Sequence, residues 1–301
     1  MATATIPPTG VTAHVPRGLG RLVRPLRHAP LLALGILLPL ILVAVFADLL
    51  APYDPTLPVP GAKFFAPPFW MDGGSRQALL GTDFQARDIL SRLIFGARVS
   101  LIVGLMGTLV AGSIGMAMGI LSGYLGGWVD QIIMRFTDAW LALPSLVFAI
   151  FLATMIGPSM WNIIIILGLV YWTRYARVIR GEVLSLRERE FVKLAEIAGS
   201  SKWRVIRRHI VPNVLNTTMV LASLTVGVVI ISEAALSFLG VGVPPPQPAW
   251  GLMLSEARPT LMAGKWWLTV FPGICIMLIV LATQLFGDWL RVRLDPQLRN
   301  L

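Results

Sequence analysis

The chain has 301 residues, 56% hydrophobic and 13% charged, and its 25 basic and 15 acidic side chains give a net charge of +10. A mean hydropathy of +0.76 excludes an ordinary soluble domain and marks an all-α, polytopic membrane protein. The lone Cys275 excludes an internal disulfide, and the scattered His14, His28 and His209 make no metal-ligand spacing.

Residues 1–30 are polar, with Pro7, Pro8, Pro16 and Pro25 among Arg17, Arg21, Arg24 and Arg27. They read as a mostly disordered cytoplasmic tail that ends in a basic anchor. Residues 31–50 are an apolar run of the length that crosses about 30 Å of hydrocarbon. Val45 and Ala47 also fit a signal-peptide cleavage site, but the run exceeds the usual apolar stretch of roughly 7–15 residues, so we read an uncleaved first span. Residues 51–98 are mixed polar and Pro-rich in their first half, and are expected outside the membrane. No charge occurs from Val99 to Trp128, which allows a second span. Along it Gly107, Ala111, Gly115, Gly119 and Gly123 recur every fourth residue, a smooth helix face that lets a neighbouring backbone approach closely. Two spans follow, at about 135–156 and 160–178, joined by the hairpin Gly157-Pro158-Ser159. A fifth covers 213–239 and a sixth lies within 265–288, with a rigid external loop over 240–251 and a short basic tail over 291–301. Residues 99–290 thus form a five-helix core behind the first span.

Between the fourth and fifth spans lies a charged island, residues 174–212, with ten of the 25 basic side chains. Ionised side chains at the centre of a membrane cost about 2.5–3.5 kcal/mol each or more, so the island is expected in water. Its Lys and Arg excess places it in the cytoplasm. Phe191, Ala195 and Ala198 share one face of a short helix that Gly199, with Ser200 and Ser201, terminates. A second helical piece, 202–210, sets Trp203, Ile206 and Ile210 against Arg204, Arg207 and Arg208, and Pro212 marks the return to the membrane. This is a helix–turn–helix at the membrane surface with a loop over 179–212; adhesion to anionic lipid is the competing reading of such a basic amphipathic pair. Six spans place both termini on the same side as this loop, and all three basic clusters then lie inside. The basic charge is therefore read as topology and not as nucleic-acid binding.

The sequence contains no phosphate-binding Gly-x4-Gly-Lys-Ser/Thr loop, no His-Glu-x2-His and no Gly-x-Ser-x-Gly elbow. We therefore expect a non-catalytic chain without cofactor or metal. Two acidic residues in or near spans are candidates for a translocation path, Glu233 and Asp138. The plainer alternatives are an interfacial position for Asp138 and a polar interhelical partner for Glu233. A self-contained carrier would use Glu233 as a proton or ion site, but the two halves show no self-similarity of the kind such carriers carry. A membrane scaffold whose basic loop recruits a partner is a third class.

The pattern Lys193-Leu194-Ala195-x3-Gly199-x9-His209-x-Val211-Pro212 resembles the EAA loop of ABC-importer permeases, with Lys193 and Leu194 at positions where the consensus has Glu and Ala. The Arg208–Asn213 ending, the segment Gly81 to Leu101, the segment Ser232 to Gly240 and the segment Pro244 to Glu256 are similar to the peptide/nickel branch of that family. The resemblance implies the type I importer permease fold and the second permease subunit of a dipeptide or oligopeptide importer in the bacterial inner membrane. It implies a heterodimer with a sister permease, two cytoplasmic ATPase subunits that carry ATP and magnesium, and an external solute-binding protein. It also implies that the ATPase-coupling surface includes Phe191, Lys193, Ala195, Glu196, Gly199, Ser200, Trp203, Arg207, His209 and Pro212.

Overall fold

The computed structural model describes residues 30–294. The tail expected over residues 1–30 and the one over 291–301 lie largely outside them. Among the described residues the chain is helical, with a single isolated two-residue bridge between Thr82 and Asp88. The helices are α1 (Leu31–Val45), α2 (Ala47–Leu50), α3 (Ile89–Leu125), α4 (Gly127–Leu141), α5 (Ser145–Ile156), α6 (Met160–Arg187), α7 (Glu190–Ile197), α8 (Lys202–Val205), α9 (Val211–Phe238), α10 (Trp250–Ala257) and α11 (Trp267–Leu294).

Among the described residues four continuous helical stretches are long and apolar enough to cross a membrane: α3, α6, the run from Lys202 to Phe238, and α11. The α4/α5 pair makes a fifth when counted as one broken span. The first expected span is divided, because α1 stops after 15 residues, about 22 Å of helix, and α2 adds one more turn. Arg98 of α3 holds that break by donating to the Ala44 carbonyl at 2.9 Å and to Asp48 at 2.8 Å. The span expected over 135–156 is bent by 92° between Leu141 and Ser145. Pro144 explains the bend, since it lacks an N–H and disfavours helical geometry at Leu143.

The most extensive helix pair is α3 with α6. The small residues of α3 lie on this seam. A side-chain carbon at Gly119 would come within 2.8 Å of the Ala176 carbonyl, and one at Gly123 within 2.8 Å of Val183. One at Gly115 would collide with the Trp172 carbonyl, and Ala111 is fully buried. Gly107 lies further along the same face, next to Val229 of α9. Without side chains between them, two backbones gain dispersion contact that lipid cannot displace. Helices α9 and α11 pack beside this pair, and α1 closes against α3 and α11.

At one end of α3 the segment before Ile89 folds over the bundle. The Asp88 carboxylate caps α3 by accepting from the Ser91 N–H at 2.8 Å and the Ser91 hydroxyl at 2.7 Å. Burial raises the Asp88 pKa above its ordinary value, and the Ser91 hydrogen bonds oppose that rise. The helix starts at Ile89, so Asp83 and Arg87 precede it in a turn. Arg87 Nε meets Asp83 at 2.6 Å, Arg92 Nη1 meets Asp83 and also Glu256 of α10 at 2.8 Å, and Arg87 Nη2 reaches Glu256 at 3.2 Å. Asp83, Arg87 and Arg92 are buried, and within the cluster Arg92 Nε and Nη2 lack a hydrogen-bond partner. Nearby, the Trp250 indole donates to the Leu93 carbonyl at 3.0 Å, and Gly96 makes room for its ring.

Candidate functional site: the helix pair at the far end of α3

The opposite end of α3 meets α7 and α8. Helix α6 does not stop at residue 178 but continues to Arg187, so the first half of the charged island is the exit of a span. Arg189 then breaks into extended backbone and α7 starts at Glu190. Its inward side chain is Val192, fully buried among Ile120, Tyr124 and Val183, with Ala195 partly buried beside it. The Tyr124 hydroxyl donates to Glu196 at 2.8 Å and ties α7 to the end of α3. Arg187 Nη1 donates to the Tyr124 carbonyl at 3.4 Å.

Helix α7 ends in a Schellman arrangement. The Gly199 N–H donates to the Glu196 carbonyl and the Ser200 N–H to the Ala195 carbonyl, both at 3.0 Å. Gly199 takes φ +81°, and a side chain added there would meet nothing within 4 Å. The position requires glycine for its backbone, not for lack of space. Ser201 then caps α8 through a 3.4 Å contact to the Arg204 N–H.

The buried residues that follow are Val205, Ile206 and Ile210. Trp203, expected on their side, is instead 68% exposed. A π-helical turn follows over Ile206–Ile210, closed by the Val211 N–H on the Ile206 carbonyl. The covered side holds Val205 as well as Ile206, and Trp203 lies about 160° around the helix from Val205 at 100° per residue. Pro212 sits in the first turn of α9 and does not interrupt the run into the membrane.

The outward surface is apolar and basic together. Phe191, Leu194, Ile197 and Trp203 are all exposed, Ile197 at 82%. Arg204, Arg207 and Arg208 are also exposed, and His209, half-buried, lies with its ring 6.0 Å from that of Phe191. Lys193 pairs with Glu188 at 2.9 Å on this rim. The hydrogen bond from Lys193 holds the Glu188 carboxyl below its ordinary value. Ala198, expected to share the Phe191 face, is exposed with it, whereas Ala195 turns inward.

The two acidic candidates are placed differently. Glu233 is fully buried, accepting from Ser237 of its own helix at 2.7 Å and from Ser100 of α3 at 3.4 Å, the arrangement of the polar interhelical alternative. Asp138 is exposed at the end of α4 and accepts from Arg177 of α6 at 2.7 Å. Two turns earlier on α4, Asp130 binds Arg180 with two contacts, at 2.5 and 2.6 Å, and also accepts from Ser122. These α4–α6 pairs were not foreseen, because their members are 39 and 50 residues apart. Among the described residues no group of three or more His, Cys, Asp or Glu is placed to hold a metal ion.

Comparison with known proteins assigns the arrangement. Residues 115–300 match the family described as the binding-protein-dependent transport system inner membrane component. The chain belongs to that family. A di/tripeptide transport system permease protein, DppC, of Pseudomonas aeruginosa is 40% identical, covering 89% of each chain. A dipeptide transport system permease protein, DppC, of Escherichia coli K12 is 42% identical over 86% of this chain and 85% of its own. A glutathione transport system permease protein, GsiD, of Pectobacterium atrosepticum is 37% identical over 91% and 89%. The chain is thus a multi-pass permease component of a binding-protein-dependent transport system, a membrane subunit and not an enzyme. The self-contained carrier built on Glu233 is set aside on the same ground.

Proposed function

We propose that this permease component forms, with a sister permease, the translocation path of an ATP-driven peptide importer in the bacterial inner membrane. Its cargo class follows the dipeptide and di/tripeptide relatives. An external solute-binding protein delivers the peptide, and two cytoplasmic ATPase subunits hold ATP and magnesium. Both termini and the α7–α8 pair then lie on the cytoplasmic side, six crossings being counted with α1/α2 and the bent α4/α5 pair as one each. Residues 31–50 are the first crossing, 51–98 the external segment, and 99–290 the core.

One observation carries the reading. Phe191, Leu194, Ile197 and Trp203 project from a helix pair whose other side is anchored by Val192, Val205 and Ile206 on the ends of α3 and α6. Large apolar side chains grouped at a water-facing end are an interaction surface. Because the anchoring face is fully packed, a push on α7 is passed to α3 through Val192 and the Tyr124–Glu196 bond. When ATP closes the ATPase pair, this linkage moves the α3–α6 pair as a body and opens the path outward; hydrolysis resets it. Phe191, Lys193, Ala195, Glu196, Gly199, Ser200, Trp203, Arg207, His209 and Pro212 form or support this surface.

Gentle purification of the tagged chain from its native membrane, with mass spectrometry of what accompanies it, tests the reading. A similar permease and one or two ATPases are expected. Recovery of the chain alone, still moving solute along a proton gradient in liposomes, would overturn it.

A further inference from the structure

Three arginines follow one another along α6 at Arg174, Arg177 and Arg180, spaced so that they share a face. Two have carboxylates waiting on α4: Arg180 on Asp130 and Arg177 on Asp138. The third has none, because α4 ends at Leu141 and the chain turns by 92° at that level. The turn leaves a cavity of about 230 Å³, lined among others by Trp140, Leu141, Pro144, Ser145, Tyr171 and Arg174. That volume equals several waters at about 30 Å³ each, the scale of a small solute and not of one trapped water. No acidic side chain lines it. Arg174 is exposed, makes no ion pair with any described residue, and lies 5.5 Å over the Tyr171 ring. The Trp140 indole N–H is buried without a hydrogen-bond partner, and the Tyr171 hydroxyl is already engaged by Ser232 at 2.6 Å. The cavity therefore offers a guanidinium and a serine hydroxyl. The guanidinium donates only, and nothing lining the cavity supplies the matching anion.

We propose that Arg174 and the α4/α5 corner form a subsite for the carboxylate of the solute in transit, which replaces the third carboxylate of the α4–α6 ladder. The inference rests on the peptide-importer reading. A planar guanidinium pairs with a carboxylate through two parallel hydrogen bonds. A passing peptide with a free C-terminus satisfies it, then leaves as the α4–α6 contact shifts.

The test uses the complete transporter in liposomes with its binding protein, measuring uptake of radiolabelled dialanine and binding-protein-stimulated ATP hydrolysis together. Arg174→Gln is expected to lower uptake roughly tenfold, the effect of losing a hydrogen bond to a charged group, while hydrolysis persists. Arg174→Lys is expected to recover part of that loss. Ser145→Asp, which supplies a carboxylate within the chain, is expected to lower uptake, with no further loss when Arg174→Gln is added. Uptake within about twofold of wild type in Arg174→Gln would overturn the proposal, as would equal loss of uptake and hydrolysis. If Arg174→Gln fails to assemble, unchanged uptake in Ser145→Asp overturns it alone. Should wild-type uptake require anionic lipid while Arg174→Gln is indifferent to it, Arg174 holds a lipid phosphate and the proposal falls. A wild-type complex that lacks ATPases, or does not move dialanine, defeats the importer reading itself.

Discussion

The two ends of α3 solve the same problem in opposite ways. At the Ile89 end, Asp83, Arg87, Arg92 and Glu256 bring two charges of each sign together away from water. At the Leu125 end, Arg204, Arg207 and Arg208 remain in solvent beside exposed Phe191, Leu194, Ile197 and Trp203. The first cluster is neutral and closed by this chain alone. The second leaves its apolar side chains uncovered by this chain, and under the proposed function an ATPase subunit covers them. Internal closure clamps the segment before α3 to α10, and the proposed function makes the open end the port to the ATPase.

The contrast can be broken most severely at the closed end. Asp83→Asn removes the carboxylate shared by Arg87 and Arg92 and is expected to cost about 3–5 kcal/mol, as for one partner lost from a buried ion pair. Denaturant unfolding of the purified chain in detergent measures this, and a cost comparable with a surface change would show that the cluster is not closed.

Trp203→Ala should behave in the reverse sense. It is expected to leave chain stability within about 0.5 kcal/mol of wild type, because Trp203 stands in solvent. It is expected to weaken ATPase binding by about 2 kcal/mol or more, the size of an aromatic anchor at an interface. Unchanged binding in a pull-down titration would remove Trp203 from the port.

Gly199 sharpens the comparison further. Its positive φ costs any other residue about 1–2 kcal/mol. The space around it is open, so Gly199→Ala and Gly199→Trp should lose similar stability. Only the tryptophan should also block the ATPase. Equal binding by the two variants would mean that no partner occupies that space.

The smallest effect concerns the Glu188–Lys193 pair on the rim. Lys193 lowers the Glu188 pKa, so the pair adds stability above the ordinary carboxylate range and loses it as pH falls through the lowered value. Wild type and Lys193→Met should therefore converge in acid-side thermal unfolding and separate slightly near neutrality. Separation that grows on acidification would give the opposite sign and refute the pairing.

Much of this architecture is legible in the residues. Long apolar stretches mark α3, α6, α9 and α11, because a charge inside hydrocarbon is costly, and Glu233 is the exception within α9. A small side chain at every fourth position marks the face of α3 that meets α6, and Gly199 marks the end of α7. The bend at Pro144 was written in the sequence as well but was read through, since apolar composition on both sides hid it. The exposure of Trp203 is not readable locally, because the pattern does not say whether the bundle covers the side of Val205 or that of Trp203.

The sequence by itself determined a membrane-embedded helical chain, the basic helix pair between its fourth and fifth apolar stretches, and motif resemblances that the family match confirms. These follow from local quantities: apolar length, residue size and spacing, and charge excess. Tertiary structure alone decided which charges are paired and which are left over. Glu256 joins Asp83, Arg87 and Arg92 from far along the chain, Glu233 turns inward to Ser237 and Ser100, and Arg174 faces the corner where α4 stops short. Each outcome depends on where helices cross, and the crossings are set by packing between residues that no local pattern connects.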